Sequence, residues 1–157
     1  MQRREFIGGI LWSTLFARLG FAEGLDKTLL ALAEVIIPDR EPAVWISSGV
    51  AEALVGEIEK LEAPRKDQMA ATLTTLNEAA TRKEGRDFHE LSLQFRTGLV
   101  KEQTDLSEEV RQGFMTIRAA AIKCFYSSSI GHQRTGFRET SQFKGYPECV
   151  ETAETWE

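Results

Sequence analysis

Few residues in this sequence are of a kind that does chemistry, and their spacing decides what they are worth. The chain of 157 residues carries two histidines, His89 and His132, and two cysteines, Cys124 and Cys149. His132 follows shortly after Ser127, Ser128 and Ser129, a grouping that could offer a nucleophile and a base. Neither a nucleophile elbow nor an orienting acid stands at a recognisable spacing, so no acyl-transfer site is expected there. His89 lies beside an apolar helical face with no second histidine four residues on, and it reads as a solvated or hydrogen-bonded side chain. Gly8-Gly9, Gly49 and Gly131 fall in neither a GxGxxG nor a GxxxxGK[ST] frame, which removes the phosphate-cradling loops. With no CxxC and no CxxCH, the cysteines indicate neither zinc nor attached haem. The expectation is a chain with no catalytic, cofactor-binding or metal residues of its own.

The two cysteines differ in setting. Cys124 falls on the apolar stripe of a helix, where a buried free thiol behaves as a small hydrophobe. Cys149 follows Tyr146-Pro147 in an irregular stretch, and an exposed thiol in an oxidising compartment tends to find a partner. Two pairings stay open: a bond to Cys124 that staples the end of the chain to the helix, or an intersubunit disulfide through Cys149.

The elements that carry these residues are helices. A hydrophobic content of 42% supports a core, and the length suits one domain. The net charge is −5, with no basic run past the amino terminus, so nucleic acid is not an expected partner. Leu25, Leu29, Leu32 and Ile36 line one helical face, and Leu30, Ala33, Val35 and Ile37 widen it almost to a full circle. A helix apolar nearly all round belongs in the centre of a bundle or under a partner. Pro38 ends it, and the loop over 39–47 offers Val44-Trp45-Ile46 back to the core. Ser48 and Gly49 open a second helix with the stripe Val50, Leu54, Ile58 and Leu61. Pro64 starts a third, with Met69, Leu73, Leu76 and Ala80 inward and Gly85 as its stop. Asp87 and Glu90 make a capping-box pattern for a fourth, whose buried face is Phe88, Leu91, Phe95 and Leu99. Ser107, Glu108 and Glu109 cap a fifth, with Val110, Phe114, Ile117, Ala121 and Phe125 inward.

After Ser129 the periodicity dissolves into a stretch with isolated aromatics, Phe137, Phe143, Tyr146 and Trp156. Such a segment buries little of itself and is read as lying along another surface. The predicted architecture is all-α: a compact bundle of about five helices at 23–129, an irregular aromatic C-terminal tail at 130–157, and a signal helix in front.

That front segment, residues 1–22, has its own order. Arg3 and Arg4 precede an apolar run from Phe6 to Phe16, broken only by Ser13 and Thr14, and Gly20-Phe21-Ala22 sets small residues before a cut after Ala22. Secretory signals share this order, with an apolar core of about 7–15 residues. A spanning helix needs about 20, and Arg18 stops the run short of that. RREFI, with Arg3, Arg4, Phe6 and Ile7, has the twin-arginine pattern of the Tat pathway, which exports folded proteins. Cleavage there removes three arginines and one glutamate and leaves a mature chain of net charge −7.

Taken in order, RREFI, LLALAEVIIPD, GVAEAL, FHELSLQFRTGLV and FYSSSIG…GF…GYPEC resemble the gluconate 2-dehydrogenase subunit 3 family over about residues 1–150. Two places depart from its pattern. The stretch after Pro38 lacks the usual Pro-Gly-Ala, and Ile130 precedes Gly131 where many relatives have an acid. The resemblance implies a small, gamma-type subunit of a periplasmic FAD-dependent sugar or alcohol dehydrogenase. In such complexes FAD sits in a catalytic subunit of the glucose-methanol-choline type, which lacks a signal. Haem c sits in a multihaem cytochrome subunit. The small chain would carry the export signal for both itself and the flavoprotein, assist folding and assembly, and stay peripheral to the inner membrane through the complex. Phe137, Phe143, Tyr146 and Pro147 would touch the partner. The alternative reading is a free-standing exported helical module that binds an envelope protein or a small molecule.

Overall fold

Apolar residues cover almost every side of the first helix, and the fold answers by packing it from several directions. The computed structural model describes residues 25–39, 45 and 48–136. Among these it is all-α, with six α-helices, one short 3-10 turn and no strand. Helix α1 (Leu25–Ile36) is touched by the third, fourth and fifth helices and by the 3-10 turn. Leu25, Leu29, Ala31, Leu32 and Ala33 are buried, and Leu30, Val35 and Ile36 are partly so. The chain leaves the helix at Pro38, as expected from a ring that cannot continue the hydrogen-bond ladder.

Helix α2 (Val50–Glu59) begins at Gly49, which takes a left-handed backbone and gives no side-chain cap. Its stripe Val50, Leu54 and Ile58 is buried. Helix α3 (Ala63–Glu84) has Pro64 in its first turn and closes on Gly85, whose N–H donates to the Thr81 carbonyl. Met69, Leu73, Leu76 and Ala80 all point inward.

The fourth expected helix is two elements. Asp87 and Glu90 do form the capping box, but around a 3-10 turn at Phe88–Glu90. Ser92 then accepts the Phe95 N–H at 3.4 Å and starts helix α4 (Leu93–Leu106) afresh. The restart changes the phase. Phe88, Leu91 and Leu99 stay buried, whereas Phe95 faces out at 59% exposure, and Arg96, Leu99 and Val100 form the inward side. One residue is a turn of about 100° on a helix, which is enough to exchange Phe95 for Arg96.

Helix α5 (Glu108–Tyr126) has the expected cap, Ser107 accepting the Val110 N–H at 3.3 Å with Glu108 and Glu109 in the first turn. Of its stripe, Val110, Ile117, Ala121 and Phe125 are buried, and Phe114 only partly. The α3–α5 pairing is the most extensive among the described elements. Gly113 allows it: a Cβ there would come within 2.0 Å of the Thr72 hydroxyl oxygen.

The helical part also continues past the expected end at residue 129. Helix α6 (Ser129–Thr135) is capped by Ser128 and stopped by Gly136. With seven residues it is too short to display a periodic stripe, which is why the sequence pattern fades there. The helical body therefore reaches Thr135 and does not stop at residue 129, and residues 137–157 lie outside the described part.

Candidate partner-binding surface

The residues singled out for export and partner contact lie mostly beyond the described part. Arg3, Arg4, Phe6, Ile7 and Ala22 fall outside the described residues, as do Phe137, Phe143, Tyr146, Pro147 and Cys149. What the structure does place is the corner from which the tail departs. Trp45, expected in a loop, has helical backbone, is 1% exposed and packs its ring 5.5 Å from that of Phe125. Phe125 in turn meets Tyr126 edge-on at 5.4 Å.

Polar bonds tie α6 to this aromatic cluster. The Ser128 hydroxyl donates to the Phe125 carbonyl at 2.5 Å and accepts the Gly131 N–H at 3.1 Å. The hydroxyl is thus committed to joining α5 to α6. Gly131 lies so close to the end of α5 that a Cβ would be 2.1 Å from the Phe125 carbonyl oxygen. From the last turn of α6, Arg134 donates from Nε and one terminal nitrogen to the two Asp39 carboxylate oxygens, each at 3.0 Å. Such a fork fixes orientation as well as distance. It joins residues 95 positions apart and closes the corner against the end of α1. Ile37, Pro38, Phe125 and Tyr126 wall an open cleft of about 370 Å³ here, with Asp39, Arg134 and Thr135 around it.

Cys124 is a buried free thiol, and burial pushes its pKa up from the usual 9.0, so the thiolate that reacts or binds metal is disfavoured. His132 sits in the last turn of α6, half-buried. His89 rides on the 3-10 turn, its buried Nδ1 without a partner among the described residues. No group of three or more His, Cys, Asp or Glu side chains that could hold a metal occurs among the described residues. None of the described helices is long and apolar enough to cross a membrane.

A second exposed surface lies along α3 and α4. Ala80, Leu91, Phe95, Gly98 and Leu99 line an open groove of about 510 Å³, together with Lys83 and Glu102, which pair with each other. Beneath α4, Arg96 is buried and donates to the Ala31 carbonyl at 2.9 Å and to Glu34 Oε2 at 2.8 Å. Helix α1 has no basic residue in its own last turn, and Arg96 brings a cation close to that end, where the helix dipole favours one. Sequence reading passed over Arg96, since a single arginine among apolar residues gives no signal of which helix it will reach.

The family-like stretches thus turn out to be working parts of one scaffold. IIPD ends α1 and delivers Asp39 to Arg134, FHELSLQFRTGLV supplies Glu90 of the capping box, the Ser92 cap and Arg96, and FYSSSIG makes the α5–α6 joint. A family model described as gluconate 2-dehydrogenase subunit 3 matches residues 26–145. The chain belongs to the gluconate 2-dehydrogenase subunit 3 family. It is accordingly an accessory subunit of a dehydrogenase complex. No match to the chain was found among the curated proteins or among the solved structures.

Proposed function

We propose that this family member is the non-catalytic export and assembly subunit of a periplasmic FAD-dependent sugar or alcohol dehydrogenase. The observation that carries the reading is the order of the chain: a twin-arginine leader over 1–22, then a family body whose match starts at Asp26. One polypeptide would join an address read by the Tat pathway to a helical surface that holds a folded passenger. The passenger is a flavoprotein of the glucose-methanol-choline type that has no signal of its own. A multihaem cytochrome c subunit takes its electrons and ties the complex to the inner membrane.

The structure supports the non-catalytic part through what its reactive groups are doing. Ser128 caps a helix, the Cys124 thiol is buried, and Arg134 and Arg96 are spent on Asp39 and Glu34. Phe137, Phe143, Tyr146 and Pro147 are the proposed partner contacts, and Cys149 the proposed intersubunit thiol. Because α6 ends at Thr135, removal of 138–157 leaves the described body whole and isolates the tail beyond Phe137. The truncated chain is expected to keep its helical circular dichroism and to stop co-purifying with the flavoprotein. A complex that persists unchanged would remove the wrapping role of the tail, and non-reducing gels of the native complex test the Cys149 bond.

A further inference from the structure

The cleft at the α6 corner is apolar on the side facing α1 and α5, and it lies where the chain leaves α6. We infer that it is the seat of the chain's own Phe137, the first residue past Gly136. The cleft, about 370 Å³, has room enough for an aromatic side chain, and its apolar walls are Ile37, Pro38, Phe125 and Tyr126. Tyr126 is left 47% exposed beside it.

Helix α6 ends on a left-handed glycine next to this cleft. Gly136 has φ +69°, the left-handed region that glycine enters without strain, and its N–H donates to the carbonyls of Gln133 and His132. A left-handed residue after a helix folds the chain back, and the apolar residue that follows commonly packs on the helix's last turns. Here that residue is Phe137. The Asp39–Arg134 fork holds the two lips of the cleft together. The other segment leaving this corner, residues 40–44, starts with Arg40, Glu41 and Pro42. Its nearest bulky apolar residue, Val44, adjoins Trp45, which is already buried against Phe125. Phe137 is the larger apolar residue and directly follows the described end of α6.

Seating Phe137 fixes where the tail begins. The 20 residues after it could reach about 70 Å when extended, enough to cross the face of a partner from a defined origin. That reach toward a partner rests on the proposed function; the seating of Phe137 does not. Hydrogen exchange on the full-length chain without its partner tests the seating alone, so a failed export reading would leave its result untouched.

In the Phe137→Ala variant, amides of α6 should exchange roughly tenfold faster through local opening, with α3 amides unchanged as a control for folding. Phe137→Leu should retain most of the wild-type protection, and Val44→Ala should leave α6 protection unaltered. Unchanged α6 exchange in Phe137→Ala would overturn the inference. So would a Val44→Ala variant that alone loosens α6, since the cleft would then be filled by residues 40–44.

Discussion

Two surfaces of this bundle expose an aromatic side chain, and they are built in different ways. At the α6 corner, Tyr126 stands against Phe125, with Trp45 behind it and Asp39, Ser128 and Arg134 bonded around it. Along the α3–α4 groove, Phe95 projects at 59% exposure over small residues, Ala80 and Gly98. The corner is fixed by contacts between the two ends of the helical body, whereas the groove is the outer side of consecutive helices. Family-like stretches converge on the corner from both ends of the body. The difference teaches that this subunit's specific architecture is concentrated where the tail departs, and that an exposed aromatic by itself marks no such place.

The strongest way to break the corner is at Gly131. In Gly131→Ala the new methyl meets the Phe125 backbone carbonyl, which cannot move aside as a side-chain tip would. Overpacking of this kind costs about 1–3 kcal/mol, and the upper end is expected by denaturant unfolding, with the Asp39–Arg134 fork disrupted. An unchanged midpoint would mean that α6 is not docked as described.

Next in size is Arg96, which supports the groove from beneath. Arg96→Ala removes a buried cation from the Ala31 carbonyl and leaves Glu34 without it. Hydrogen bonds to charged groups contribute about 1.5–3 kcal/mol, so a loss of about 2 kcal/mol is expected in the same measurement. A comparable loss in Arg96→Lys would show that the ammonium cannot replace the guanidinium nitrogen Nη1 that makes both bonds.

The α2–α5 side offers a smaller effect with a pH signature. Glu57 accepts from Lys123 at 2.5 Å and from Lys60 at 2.6 Å. Those bonds, Lys123 first, hold its carboxyl at about 2, below the ordinary 4.5. Because the folded state favours the ionised form, the stabilisation is fully present above about pH 4.5 and is lost as pH falls toward 2. Thermal unfolding of Glu57→Gln should therefore show a flatter acid limb across that window and lower stability at neutral pH. An unaltered acid limb would show that the pair contributes nothing in solution.

Phe95→Ala is expected to do least, within about 0.5 kcal/mol, as for most exposed positions. A larger loss would show that the groove is a structural element on a par with the corner.

How far the sequence foretold these two surfaces follows from the range of the forces that make them. Caps and stops are local, so Asp87, Ser107, Pro38 and Gly85 were legible, and the stripes of α2, α3 and α5 followed from periodicity. The phase break at Ser92 was hidden because Phe88, Leu91, Phe95 and Leu99 fit one helical face even though two elements carry them. Helix α6 was hidden by its brevity, and Ser128, which the sequence groups with Ser127, Ser129 and His132, is its cap. The pairings Arg134 with Asp39 and Arg96 with Glu34 join distant positions through charge, for which one sequence holds no positional signal. Family resemblance bridged part of that gap, since it gathered the stretches that the fold brings together.

The proposed role, delivery of a second protein across the membrane without chemistry of its own, is tested most directly at the arginine pair. Replacing Arg3 and Arg4 together by lysine keeps the charge and removes the twin-arginine address. Fractionation of cells carrying that variant should find both this chain and the flavoprotein in the cytoplasm. A flavoprotein that still reaches the periplasm in normal amount would contradict the account.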